Sequence, residues 1–349
     1  MISKLTMAAV AVGLLWSFGA RAQALVIDGE EIADAKLFTD AKKEGRVDVY
    51  GTYPSENFGP VLDAFRQETG LEMEYVRLPT SRLYDRVLAE FQGGKLDVDY
   101  ADLTDLTLMK DWVSKGIMGT HKVPWFDKIP ADLRDNDGHW IYIVRPIQTI
   151  AVNTELVDPK DYPTSWKDTF DPKWKGKLGT ADIDAGGSAL TLFAFLRTKV
   201  DPNSWEKIAA QEPRLYASVA PVVNDLVRGR IAIAYGGASS FTQAIKEKAP
   251  LKVFFPSEGL AAFGALGNVT ATAKHPNAAK VWVNWVTSRH GSGLVAKTGS
   301  YGTYPGAPAP TDGDYKFPPD SQVWNISGEM WDRIHETWPD EWKKIFKRQ

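Results

Sequence analysis

The sequence predicts an α/β fold in two lobes, strand–helix units wound around parallel sheets and joined by crossover strands, with a crevice between them. Three observations carry that expectation. The chain has 349 residues, more than a single hydrophobic core usually fills. Apolar runs of strand length alternate with amphipathic stretches of about 10–15 residues, the pattern of parallel sheets with right-handed crossovers. Mid-chain, "HWIYIVRPIQTIAVNTELV" is a long β-branched stretch with little polar alternation, interrupted at Pro146. Proline is tolerated in strands mainly at edges or bends, so this stretch is where the chain is expected to pass between lobes.

Taken in order, residues 1–24 read differently from the rest. "MISKLTMAAVAVGLLWSFGARAQA" has Lys4, an apolar run from Leu5 to Phe18, and small residues at Ala22 and Ala24. This predicts a secretory signal cleaved before Leu25, too short for a membrane span, which needs roughly 20 apolar residues. The chain has no cysteine. Neither a disulfide nor a lipid-bearing cysteine is then possible, and a soluble, unlipidated periplasmic protein is the expectation.

A helix is predicted near "IADAKLFTDAKKEG", then the strand "RVDVYGTYP" and the helix "SENFGPVLDAFRQETG", with Ser55 as N-cap and Gly70 as stop. "LEMEYVRLP" is the next strand and "TSRLYDRVLAEFQGG" the next helix, opened by Thr80 or Ser81 and closed by Gly93 and Gly94. "LDVDYADLTDLTLMKDWVSKG" adds strand, turn and helix. The first lobe is expected over 25–145 and the second over 146–260, with the crossover near 139–154. Residues 261–349 are expected to return to the first lobe and end in helices. Within that part "GSGLVAKTG" reads as a helix C-cap, and "GSYGTYPGAPAPTDGDYKFPPD" is too rich in Pro and Gly for regular structure. Thirteen tryptophans are present; the late ones, Trp324, Trp331, Trp338 and Trp342, are expected to pack onto a neighbouring lobe.

Composition narrows the function. Hydrophobic residues make up 44% and charged residues 24%, which excludes wholesale disorder. A net charge of −3 gives no general attraction for nucleic acid. No G-x-S-x-G, H-E-x-x-H or G-x-x-x-x-G-K-[ST] motif occurs, and the five histidines (121, 139, 275, 290, 335) show no ligand spacing. Neither a catalytic residue nor a metal ligand set is indicated, and no cofactor.

What remains is a set of helix starts just after strands. Thr52 and Ser55 offer hydroxyls beside free N–H groups, which makes either an anion site or a plain cap. Thr80 and Ser81 repeat the arrangement, with Arg82 as an added charge. In "DIDAGGSALTLF", Gly186 and Gly187 allow close approach to the backbone and Ser188 adds a hydroxyl at the positive end of a helix; a simple strand-to-helix turn would look the same. Arg145 lies inside the apolar crossover. A guanidinium buried there needs an anionic ligand or an internal carboxylate. Tyr235 follows "GRIAIA" and precedes Gly236 and Gly237, at an expected sheet end.

The chain resembles the periplasmic solute-binding proteins of ABC importers (extracellular solute-binding family 1-like), in the branch that includes iron(III), thiamine, 2-aminoethylphosphonate and sugar-phosphate binders. The resemblance covers nearly the whole mature chain. It is carried by "GRVDVYGTYPSENFGPVLDAFRQETG", "RVLAEFQGGKLDVDYADLTDL", "IAVNTELV", "SWKDTFDPKWKGKLGTAD", "GGSAL" and "HPNAAKVWVNWVTS". It implies a type II periplasmic binding fold, a ligand cleft closed by hinge motion, and delivery to an inner-membrane ABC permease. In iron(III) members two adjacent tyrosines at the lobe-two strand end bind the metal. Here Tyr235 is followed by Gly236, and although Tyr53 and Glu56 stand at the first turn, no histidine accompanies them. The resemblance therefore implies a small organic anion, a carboxylate, phosphonate or organic phosphate. It would be held by Thr52, Ser55, Thr80, Ser81, Thr104, Ser188 and Ser218, with Arg145, Gly186, Gly187, Tyr235 and Gly236, in a monomer that binds no nucleic acid. Two alternatives stay open: a ferric-ion receptor using Tyr235 with a synergistic anion, and a secreted enzyme on the same two-lobed scaffold.

Overall fold

The computed structural model describes residues 23–53, 55–312 and 315–347, with the side chains of residues 55–57 and 312 outside the description. The signal expected over 1–24 lies outside the described residues except for positions 23 and 24. Among the described residues no helix is long and apolar enough to cross a membrane.

The first lobe opens with a hairpin, β1 (Leu25–Ile27) and β2 (Glu30–Ala33), followed by α1 (Ala35–Glu44). Asp34 caps α1 by accepting from the Leu37 N–H at 2.7 Å, and Gly45, at φ 75°, ends it. The predicted units follow: β3 (Arg46–Gly51), α2 (Ser55–Thr69), β4 (Glu72–Arg77), α3 (Thr80–Gln92), β5 (Tyr100–Leu103) and α4 (Leu106–Ser114). β3 pairs in parallel with β4 and with β5. Their C-terminal ends therefore share one sheet edge, where α2, α3 and α4 begin.

The β-branched stretch forms two strands, β6 (Ile141–Val144) and β7 (Ile147–Asn153), split at Arg145 and Pro146. The second lobe continues with β8 (Leu178–Ala181), α5 (Gly187–Phe195), α6 (Ser204–Ala210), β9 (Arg214–Tyr216), α7 (Val219–Val227), β10 (Ile233–Gly237), α8 (Ala238–Lys246), β11 (Leu251–Phe254) and β12 (Leu260–Ala262). The chain then runs through β13 (Ala265–Val269), α9 (Pro276–Thr287), α10 (Arg289–Ala296), a two-residue ribbon of β14 (Thr311–Asp312) and β15 (Tyr315–Lys316), β16 (Val323–Asn325), α11 (Gly328–Ile334) and α12 (Trp338–Ile345).

One sheet has the order β4-β3-β5-β13-β6; the other runs β16-β12-β7-β10-β8-β9, with β11 also on β7. The lobes are thus joined where β6 passes into β7 and where β12 passes into β13. The Phe263 N–H donates to the Pro146 carbonyl at 3.1 Å and ties the two crossings together. Gly264 is required there, because a Cβ would come within 2.5 Å of the Tyr142 ring and 2.8 Å of the Val144 carbonyl.

Three details differ from the sequence expectation. The run over 299–320, expected to lack regular structure, holds the antiparallel β14–β15 ribbon, whose four paired residues are neither Pro nor Gly. Gly291 and Gly293 of the "GSGLVAKTG" run lie inside α10 and do not cap the preceding helix; Gly291 is required there because a Cβ would stand 2.0 Å from the Trp285 carbonyl. The C-terminal segment rejoins the second sheet through β16, which pairs with β12. Its tryptophans pack on the second lobe as expected of a neighbouring-lobe contact: Trp338 lies 5.2 Å from Trp205, and Trp342 lies 5.2 Å from Phe193.

Candidate functional site

In the second lobe β8 runs parallel to β9 and to β10. The segments leading into α5, α7 and α8 therefore leave that sheet at one edge, as α2, α3 and α4 do in the first lobe. The two edges face each other. Gly187, the first residue of α5, lies against Thr104, just beyond β5, so closely that a Cβ on Gly187 would stand 2.7 Å from the Thr104 carbonyl oxygen. Thr104 in turn shares a hydroxyl–hydroxyl bond of 2.7 Å with Thr80, the first residue of α3. Thr80, Thr104 and Gly187 thus come together from three turns and both lobes.

Helix starts are of two kinds, and the uncapped kind is not confined to these edges, since α6, α9 and α12 also lack a side-chain cap bond. α1, α4, α10 and α11 each have an N-cap side chain bonded to the first turn, from Asp34, Asp105, Ser288 and Ser327. By contrast α3, α5, α7 and α8 begin after Pro79, Gly186, Ser218 and Gly237, none of whose side chains bonds the helix. Their first N–H groups keep donor capacity and carry the positive end of the helix dipole. Ser81 and Arg82 are exposed in the first turn of α3, Ser188 is half-buried in that of α5, and Ser218 is exposed at the start of α7. Gly186 adopts φ 130° and is exposed.

Thr52 serves a different purpose. It is buried, and both its N–H and its hydroxyl donate to Asp102 Oδ1, at 2.8 and 2.6 Å. Its carbonyl accepts from Arg77 Nε at 3.3 Å, and the Tyr53 carbonyl accepts from the Tyr75 hydroxyl at 2.8 Å. These bonds fix the turn that leads into α2. Ser55 is the first residue of α2, and its side chain and that of Glu56 lie outside the described residues. Burial pushes the Asp102 carboxyl up to about 6 against the lowering effect of the Thr52 bonds.

Three expectations change on seeing the tertiary contacts. Arg145 is buried, and its guanidinium is engaged by the protein: Nη2 donates to the Gly302 carbonyl at 2.7 Å and to Asp320, and Nη1 donates to Asn325 Oδ1 at 3.2 Å. Its backbone pairs with Tyr301. Arg145 thus fastens the crossing to two later segments, and its internal carboxylate is Asp320. Tyr235 sits inside β10 and is buried; its hydroxyl meets Thr169 Oγ1 and its ring lies 5.3 Å from Trp166. Burial raises its phenol well above the ordinary range, which opposes the phenolate that ferric iron would need. Gly236 opens no space for a ligand, since a Cβ there would stand 2.8 Å from the Phe241 ring.

Sequence reasoning missed Asp102 and Arg77. Arg77, exposed at the edge-facing end of β4, could have been found from its place after a predicted strand. Asp102 could not, because its partner Thr52 is fifty positions away. Among the described residues, two groups have carboxylate and imidazole atoms close enough to hold a cation: Asp48, Asp99 and His275, and Asp135, Asp137 and His139. Neither includes Tyr235 or Tyr53. In the first, Asp99 accepts from the backbone of Asp48 and of His275, and in the second Asp135 accepts from the backbone of His139, as structural ties do.

Comparison with known proteins agrees with this architecture. The family model for bacterial extracellular solute-binding proteins matches residues 96–335, more than half of the chain, and the chain belongs to that family. An uncharacterized protein of Haemophilus influenzae is 25% identical over 273 residues, covering 74% of this chain and 78% of its own. The spermidine/putrescine-binding periplasmic protein of Escherichia coli is 23% identical over 255 residues, covering 70% of this chain and 73% of its own. Among solved structures, the periplasmic binding protein AfuA from Actinobacillus pleuropneumoniae, with fructose-6-phosphate bound, matches with a TM-score of 0.69 at 19% identity, covering 87% of this chain and 99% of that one. Iron-bound HitA from Pseudomonas aeruginosa matches at 0.67 and 16% identity, covering 86% and 98%. The fold is that of the type II periplasmic binding proteins.

Proposed function

We propose that this member of the bacterial extracellular solute-binding family captures a small organic anion, a carboxylate, phosphonate or organic phosphate, in the periplasm and delivers it to an inner-membrane ABC permease. The observation that supports an anion is the set of uncapped helix starts on both facing edges, α3 on one lobe and α5, α7 and α8 on the other. Aligned backbone donors and dipoles favour negative charge. Arg77 and Arg82, both exposed at the first-lobe edge, add fixed positive charge, and Ser81, Ser188 and Ser218 supply hydroxyls.

A polyamine, the ligand named for some relatives, would need free carboxylates instead. Among the described residues, three carboxylates near the edges are engaged: Asp102 by Thr52, Asp105 by the first turn of α4, and Asp184 by Lys343 at 3.0 Å. The mechanism is binding with closure and involves no chemistry on the ligand. Contacts to both lobes favour the closed state, and that differential affinity drives the hinge.

Thermal-shift screening against carboxylates, phosphonates, organic phosphates, polyamines and ferric salts tests this reading, because a ligand of the native state raises apparent stability by mass action. An upward shift with an organic anion is expected. A shift with spermidine or ferric salts alone overturns it.

A further inference from the structure

Trp331 occupies a place that the anion reading leaves unused. It belongs to α11, and the flanks of α11 are fixed to the second lobe. On one side β16 pairs with β12. On the other, α12 packs through Trp338 and Trp342 onto Trp205 and Phe193, with Arg197 and Glu341 paired at 2.6 Å. Yet α11 reaches across to α4 of the first lobe. The Trp331 indole N–H donates to Thr107 Oγ1 at 2.7 Å, and Lys110 pairs with Asp332 at 2.6 Å. The far edge of the same indole lies over Gly187, where a Cβ would stand 3.0 Å from Trp331 Cη2.

One side chain, almost wholly buried, therefore touches the first turn of α4 in one lobe and the first residue of α5 in the other. Opening the hinge would return the indole N–H to water and expose ring surface, whereas closing desolvates both. The Lys110–Asp332 pair is half exposed on each side and contributes little by itself.

We propose that Trp331 is a positioning residue for closure: carried by the second lobe, it bridges Thr107 and Gly187 and biases the hinge toward the closed state before any ligand binds. This rests on the binding-with-closure reading. The bias lowers the cost of closing on a ligand, which raises apparent affinity without a contact to the ligand.

Small-angle X-ray scattering of the ligand-free protein tests it, with Trp331→Phe, Thr107→Ala and the double variant. Trp331→Phe keeps a ring and removes the N–H donor; Thr107→Ala removes the acceptor from the opposite lobe and keeps the test alive if the first variant fails to fold. Each single variant is expected to shift the open-to-closed ratio about fivefold toward open, the weight of one hydrogen bond, and the double variant no further. Gly187→Ala serves as a wedge, since its Cβ would crowd the Thr104 carbonyl. If Gly187→Ala enlarges the particle while Trp331→Phe and Thr107→Ala leave it unchanged, the hinge works and the role of Trp331 is refuted. Additive effects in the double variant refute the bridge as well. If none of the variants changes the scattering, both the bridge and the closure reading fall.

Discussion

Arg145 and Asp320 form an ion pair, Nη2 to Oδ1 at 3.0 Å, in which the arginine is buried and the aspartate is half exposed. The pair fastens the first lobe crossing to the segment just before β16, and the Gly302 carbonyl and Asn325 complete the arginine's partners. A charge at this position holds the geometry of the strand crossing between the two sheets. Its burial explains why it reads, in sequence, like a ligand anchor.

Removing the two partners is expected to have unequal effects. Arg145→Ala leaves the Gly302 carbonyl without its donor and should cost about 2–4 kcal/mol of stability. Asp320→Ala leaves the buried guanidinium without this carboxylate and should cost about 3–5 kcal/mol, more than Arg145→Ala. Urea denaturation midpoints measure both; a smaller cost for Asp320→Ala would show that the Gly302 carbonyl and Asn325 hold the charge without it.

Tyr235→Phe is expected to lower stability by about 1 kcal/mol through loss of its bond to Thr169, with no change in anion affinity. Addition of ferric salt to the unsubstituted protein should give no visible phenolate-to-iron band. A band that Tyr235→Phe abolishes would revive the ferric alternative. In the same strand, Gly236→Ala should destabilise by about 1–3 kcal/mol, because its Cβ would meet the Phe241 ring.

Asp102 makes stability depend on pH. Its folded pKa, about 6, lies above the ordinary carboxylate value, so between the two the folded state holds a proton that the unfolded chain has released. Stability therefore increases as pH falls through about 6. From pH 8 to pH 5 the contribution is about 1–2 kcal/mol. Asp102→Asn keeps an acceptor for Thr52 and removes the charge, so this part of the pH dependence should vanish from its denaturation profile. An unchanged profile would assign the titration elsewhere.

His290 contributes in the same direction at higher pH. Burial disfavours its charged form, but bonds to Asp28 and Glu68 outweigh that and raise its pKa. Its contribution is present below the ordinary histidine range and is lost as pH rises through the raised value. His290→Gln should flatten the melting-temperature profile on the neutral side and leave the Asp102 step intact.

For the ligand edge, Arg77→Ala and Arg82→Ala are each expected to weaken binding of the best anionic hit about three- to tenfold, more at low salt than at high salt. Titration calorimetry at two ionic strengths measures this. Salt-independent affinities equal to those of the unsubstituted protein would place the bound charge elsewhere.

Much of the fold was legible in the chain because its signals are local. Gly70 and the Gly93–Gly94 pair mark helix ends, and Ser55, Thr80 and Gly187 begin α2, α3 and α5 as their neighbouring residues imply. Arg145 and Tyr235 were misread for the opposite reason. Whether a buried charge or phenol faces ligand or core depends on residues far along the chain, Asp320 for the one and Thr169 for the other.

By itself the sequence determined the alternation of strands and helices, the family, and the polar character of the helix starts, since periodicity, capping and glycine conformation act within a few residues of one another. Only the tertiary structure decided that Thr104 meets Gly187 across the lobes, that Asp102 holds Thr52, and that Arg145 is held by Gly302 at the strand crossing. Those pairings are set by how two sheets pack and cross, and distance in space carries no mark in local sequence.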